Sequence, residues 1–112
     1  MGNARKAGIA VNICLVSDND EWLEYAQRDL HGFDILVTTN TSEIAGDVII
    51  VSSLLLDQLP ENTPASVIVV TARNTVKEAI NAYRAGASRY LPMSFSIGAL
   101  RSAVVSIIVG KL

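Results

Sequence analysis

Residues 66–91 read SVIVVTARNTVKEAINAYRAGASRYL. Ser66 to Thr71 is an unbroken, β-branched apolar run, the composition of a strand buried on both faces. Thr75-Val76-Lys77-Glu78 fits a capping box, in which the Thr hydroxyl and the Glu carboxylate each satisfy an orphan backbone donor. The helix it opens is expected to bury Val76, Ile80 and Tyr83 or its neighbours, and to stop at Gly86. Arg89 to Leu91 then reads as another short strand. Strand, helix and strand in this spacing form the unit that links parallel neighbours in a sheet.

The same alternation runs outward. Val11 to Val16 is an apolar run ending in Ser17-Asp18-Asn19-Asp20, a polar turn made of N-cap residues. From Glu21 to Leu30, Leu23, Ala26 and Leu30 share one helical face, and Gly32 stops the helix. Asp34 to Thr38 and Val48 to Val51 are further strands, and Ile97 to Val109 is a last helix. Two connections are short. Only Thr39 to Gly46 separates the second and third strands, where a crossover helix needs about a dozen residues, so one turn or none is expected. Between Ser53 and Thr63, Pro60 and Pro64 limit the leucine-rich segment to a short helix.

Composition narrows the class. The 112 residues suit one domain, with a polar tail over residues 1–8 and the domain over 9–112. Half the residues are apolar, enough for a substantial core. The lone cysteine, Cys14, cannot form an internal disulfide and reads as strand core, which suits a reducing, cytoplasmic compartment. Neither a signal peptide nor the roughly 18 apolar residues of a membrane span is visible. A net charge of −2 gives no mandate for nucleic acid. The charge is uneven, however. Residues 1–61 hold ten acids against three bases, and residues 62–112 hold six bases against Glu78 alone. Such a split either steers association or is chance placement of solvated charge.

From Val69 on, the chain resembles the response-regulator (CheY-like) receiver family of two-component signalling. The resemblance rests on Val70-Thr71-Ala72, a helix, Ala85-Gly86-Ala87-Ser88-Arg89-Tyr90-Leu91 and then Phe95. Ile13-Cys14-Leu15-Val16-Ser17-Asp18 sits where that family has a strand ending in an acidic pair. Asp47-Val48-Ile49-Ile50-Val51-Ser52 sits where it has a strand ending in the phosphorylated aspartate. The resemblance implies a flavodoxin-like, three-layer α/β sandwich. Its five-stranded parallel sheet would run in the order 2-1-3-4-5, with the second helix shortened or missing.

The departures fall on the chemistry. Family receivers bind Mg²⁺ with an acidic pair and the acceptor aspartate, and a lysine pairs with the phosphoryl charge. Here Ser17 stands at the first acidic position, only Asp18 remains of the pair, Ser52 stands at the acceptor position, and Met93-Ser94 replaces Lys-Pro. Mg²⁺ wants several oxygen ligands in octahedral geometry, so one carboxylate in place of three should bind it weakly. A serine hydroxyl is a poor nucleophile without an adjacent base, and Met93 offers no charge to a phosphoryl group. Thr71 and Tyr90 match the family's switch residues, and with no phosphate to draw Thr71 across, one fixed state is expected. These substitutions imply a phosphorylation-independent pseudo-receiver, with no enzymatic activity, no cofactor and no metal site.

The remaining candidates each have a plain alternative. Asp18, Asp20 and Glu21 are either a residual cation site or helix capping, and capping is the better reading. His31 beside Gly32 reads as a helix-end residue. In the last helix, Ile97, Leu100, Val104 and Ile107 form the core stripe, and Val105, Ile108 and Val109 form a second apolar stripe. Together with Tyr83, Arg84, Arg89 and Arg101, the second stripe forms a candidate protein-contact or dimerisation face. It corresponds to the family's surface of fourth helix, fifth strand and fifth helix. Alternatively, a continuation of the chain covers it. The preferred reading is therefore an interaction module within a larger bacterial regulator. Two others stay open: a phosphoryl-accepting receiver with rearranged acids, and a small-ligand sensor at the carboxyl ends of the strands.

Overall fold

The computed structural model describes residues 11–40, 43–59, 63–73, 75–94 and 98–111. The expected tail over residues 1–8, the family-like Phe95 and the core-stripe Ile97 lie outside them. The order is β1 (Asn12–Val16), α1 (Asp20–Asp29), β2 (Asp34–Thr38), β3 (Val48–Ser52), a 3₁₀ helix (Ser53–Gln58), β4 (Ser66–Thr71), α2 (Val76–Arg84), β5 (Arg89–Pro92) and α3 (Ala99–Lys111). All four strand pairings are parallel. The strand order is β2-β1-β3-β4-β5, that of a flavodoxin-like sandwich.

Strand periodicity divides the core into two layers. Ile13, Leu15, Val48, Ile50, Ile68 and Val70 face α1 and α3, where they meet Trp22, Leu23, Ala26, Leu30, Leu100, Val104 and Ile107. The intervening residues, Cys14, Val16, Ile49, Val51, Val67 and Val69, face the 3₁₀ helix and α2. The second layer is thinner. Its helical contribution is Ala82 with Ala87 just beyond, supplemented by half-buried Leu55, Leu56 and Leu59.

This thinness corrects one sequence expectation. The sequence expectation buries Val76, Ile80 and Tyr83 or its neighbours; the neighbour Ala82 is buried, but Val76, Ile80 and Tyr83 lie on the outside of α2, with Val76 77% exposed. Small alanines let α2 lie close to the sheet, so its large apolar residues point to solvent. The caps form as the sequence implies at Asn19, which accepts from Trp22 N, and at Thr75, which accepts from Glu78 N. In the connection between β2 and β3, Glu43 folds back onto the end of β2. The Glu43 N–H donates to Asn40 O at 2.9 Å, and the Glu43 carboxylate accepts from Thr38 Oγ1 at 2.8 Å. Thr41 and Ser42 lie outside the described residues. Among the described residues no helix covers this end, and Leu36 and Val37 of edge strand β2 are exposed.

Sheet order also sorts charge. The acid-rich half of the chain builds β2, β1 and β3, and the base-rich half builds β4 and β5, although Arg101 of α3 reaches back to the end of α1.

Cys14 is fully buried on the thin face. Burial pushes its thiol up, against a smaller downward pull from a backbone hydrogen bond at Ala45. Ellman's reagent should therefore react with the native protein far more slowly than with the protein in urea. A raised folded-state pKa means that the thiol favours folding below the unfolded value, about 8.5, and that this contribution is lost as pH rises further. A urea midpoint that does not fall between pH 8 and 10 would contradict the assignment.

Candidate functional site

Parallel strands all end at one edge of the sheet, and that edge gathers Ser17, Ser52, Thr71 and Met93. The three hydroxyl residues are buried, and each is committed to local hydrogen bonds. Ser17 Oγ accepts from Asn19 N at 3.1 Å, which starts the turn into α1. Ser52 Oγ accepts from Leu54 N at 3.4 Å and caps the 3₁₀ helix. Thr71 Oγ1 accepts from Arg73 N at 3.0 Å and from the Ser53 hydroxyl at 3.2 Å. Its own proton lies within reach of Arg73 O at 3.0 Å and Glu78 Oε2 at 3.3 Å. Buried hydroxyls used in this way shape backbone turns.

Glu78 departs from the expected capping box. Only half of the box forms, because the Glu78 carboxylate turns to the Thr71 hydroxyl, and Thr75 N donates to Arg73 O instead. A negative charge on α2 thus sits beside the last hydroxyl of β4. Tyr90 is half-buried, and its hydroxyl donates to Arg73 O at 2.9 Å. Thr71 and Tyr90 therefore converge on one residue, Arg73. Met93 is half-buried, and its N–H extends the β4–β5 ladder to Thr71 O at 2.8 Å.

Asp18, Asp20 and Glu21 are all exposed, and Asp20 and Glu21 occupy the first turn of α1. Among the described residues no three His, Cys, Asp or Glu side chains come together as a metal-ligand group. At these four positions the edge presents hydroxyls and a thioether, and the carboxylates beside them are those of exposed Asp18 and of Glu78, which is bonded to Thr71.

No family model matches, and no curated protein matches. Solved structures do. A response regulator from Thermotoga maritima superposes with a TM-score of 0.77 at 20% identity, covering 90% of this chain and 99% of that one. The fold is that of a receiver domain. A CheY-like receiver domain protein from Methanospirillum hungatei gives a TM-score of 0.68 at 14% identity, covering 90% and 93% of the two chains. NtrX from Brucella abortus matches with a TM-score of 0.76 at 16% identity over 91% of this chain, which spans 28% of that longer one.

Within this receiver fold, α2, β5 and α3 surround the basic end of the sheet. Tyr83 is 52% exposed, and Arg84 and Arg89 are exposed. Arg89 bridges β5 to α3 through Ser106 Oγ at 3.1 Å, next to exposed Val105, with Val109 one turn further on. Ile80 and Val76 extend the apolar strip along α2. Two residues expected on this face sit elsewhere. Ile108 is half-buried against the core. Arg101 turns to α1, where Nε donates to Asp29 O at 3.0 Å, the guanidinium donates to His31 O, and its carbon lies 5.0 Å from the Phe33 ring centre. Arg101 thereby caps the carbonyl end of α1.

Asp29 returns the favour. Its carboxylate accepts from Gly98 N at 2.6 Å and from Leu100 N and Arg101 N, both at 3.1 Å. Each helix end is thus satisfied by a side chain from the other helix. The sequence signal was an acid in the last turn of α1, where the helix dipole disfavours it.

Proposed function

We propose that this chain is a phosphorylation-independent pseudo-receiver that acts as a protein-interaction or dimerisation module, the regulatory part of a larger bacterial regulator in the cytoplasm. The supporting observation is the strand-end edge itself. Ser17, Ser52 and Thr71 are buried, and their oxygens are bonded to neighbouring backbone or side chains. Met93 adds a half-buried thioether in place of a cation. The domain is not an enzyme in this reading, and its contact face is α2–β5–α3. Val76, Ile80, Tyr83, Val105 and Val109 supply apolar area there, and Arg84 and Arg89 supply positive charge.

Two measurements test the reading. Incubation with Mg²⁺ and acetyl phosphate should leave the intact mass unchanged. A stable gain of one phosphate, lost in Asp18→Ala, overturns the loss of phosphoryl chemistry. Light scattering of the wild type should report self-association that Val105→Asp with Val109→Asp removes while leaving the unfolding midpoint near its original value. A monomer in both cases removes the dimerisation form of the proposal.

A further inference from the structure

Strand β2 stands at one edge of the sheet, with β1 on one side and no strand on the other among the described residues. Along an edge strand, every second residue turns its N–H and C=O outward, where they can pair with another strand. Natural edges are commonly blunted by lysine, proline, a bulge or a covering element. The β2 residues read DILVT, with neither lysine nor proline. They run in unbroken one-to-one register with β1, so no bulge interrupts them. Leu36 is 43% exposed and Val37 40%. Because neighbours on a strand point to opposite faces, the edge shows apolar surface on both.

This strand is complementary to a second copy of itself. A twofold axis perpendicular to the sheet must pass through a residue position, because a half-residue offset would pair side chains on opposite faces. Centred on Leu36, the axis pairs all five residues: Leu36 with Leu36, Ile35 with Val37, and Asp34 with Thr38. Apolar meets apolar in the middle rows. The two Asp34 carboxylates fall at opposite ends, four residues or about 14 Å apart, where salt screens them. Centring on Ile35 would set Asp34 against Leu36, and centring on Val37 would set Leu36 against Thr38. The symmetry of the pattern about Leu36 thus fixes the register and selects a second copy over a foreign strand. The ends carry a cost. Thr38 Oγ1 donates to the Glu43 carboxylate at 2.8 Å, so Asp34 of the second copy approaches a like charge there.

We propose that β2 pairs antiparallel with β2 of a second copy about a twofold axis through Leu36, joining two five-stranded sheets into one of ten strands. The contact lies at the far edge of the sheet from β5, and it does not depend on how the α2–β5–α3 face is used. One strand pair is much smaller than a standard interface. A dissociation constant of about 0.1–1 mM is expected, too weak to register in light scattering at micromolar protein.

Leu36→Cys and Val37→Cys place near-equally exposed thiols one residue apart, and Cys14 stays buried in both. In the proposed register the two copies of position 36 face each other with Cα atoms about 5 Å apart, within reach of a disulfide. The two copies of position 37 are offset by two residues, about 8 Å apart, beyond that reach. Each variant is made in the full chain carrying Val105→Asp and Val109→Asp, so the other face contributes nothing. At 0.2 mM protein, with oxidised glutathione as the oxidant, covalent dimer is followed by intact mass. Leu36→Cys should cross-link at least about tenfold faster than Val37→Cys. Its rate should rise about two- to threefold as NaCl goes from 50 to 300 mM, because salt screens Asp34 from Glu43. Equal rates, a faster Val37→Cys or a rate that falls with salt overturns the proposal. A second measurement needs no variant. In a 1 mM mixture of ¹³C-labelled and unlabelled wild-type chains, a half-filtered NOE should connect the Leu36 methyls of the two copies, and its absence overturns the pairing. Failure of the α2–β5–α3 reading would show in wild-type light scattering and leave both results unchanged.

Discussion

Asp29→Ala should lower stability by about 3 kcal/mol and the melting temperature by about 12 °C. The residue is half-buried, and its two oxygens receive three backbone N–H groups from the start of α3. Removing the carboxylate leaves those donors without a partner at a packed helix end. A single lost cap costs up to about 2 kcal/mol, and here the same group also anchors α3 to α1 across the core. Asp29→Asn keeps an acceptor of the same shape and should lose about half as much. Arg101→Met keeps much of the aliphatic bulk over Phe33 while removing the donors to Asp29 O and His31 O, at a cost of about 1 kcal/mol. Thermal unfolding by circular dichroism ranks all three. A cost for Asp29→Ala below that of Arg101→Met would show that the carboxylate is not the anchor.

Gly46→Ala should cost about 3 kcal/mol, and Gly86→Ala only about 1 kcal/mol. Both glycines have positive φ, +143° and +99°. A Cβ at Gly86 would meet nothing within 4 Å, whereas one at Gly46 would lie 2.9 Å from the backbone oxygen of Asn12. That oxygen is held in place, since it accepts from Asp47 N at 2.8 Å while Asn12 N donates to the Asp47 carboxylate at 2.9 Å. The clash therefore falls on a fixed edge of β1 rather than on a movable side chain. The difference between the two variants in urea isolates the steric term from the backbone term. Equal midpoints would mean that β1 gives way freely at Asn12.

What the sequence made legible follows from range. The strands, the caps at Asn19 and Thr75 and the short β2–β3 connection are local patterns, and the sheet order came from the resemblance between residues 70 and 91. The Asp29–Arg101 exchange joins residues 72 positions apart, which no periodicity reports. Local spacing makes Glu78 half of a capping box. A buried hydroxyl at Thr71, seven residues earlier, claimed its carboxylate instead. The apolar spacing of Val76, Ile80 and Tyr83 marks a helical face correctly but cannot say whether that face turns inward. Ala82 and Ala87 decided it, because small residues permit the closer approach to the sheet. At the strand ends, Ser17, Ser52, Thr71 and Met93 are legible as positions, but the hydrogen-bond partners of the three hydroxyls are not.

The acid-rich half of the chain builds the β2 side of the sheet, while Arg84 and Arg89 stand exposed beside β5. An acidic partner of the proposed face would be steered toward the arginine-bearing β5 end, so that random collisions become oriented ones. The screening length at physiological ionic strength is only about 8 Å, and this guidance fades rapidly as salt is added. Capture should therefore slow with salt while the lifetime of the finished, mostly apolar contact changes little.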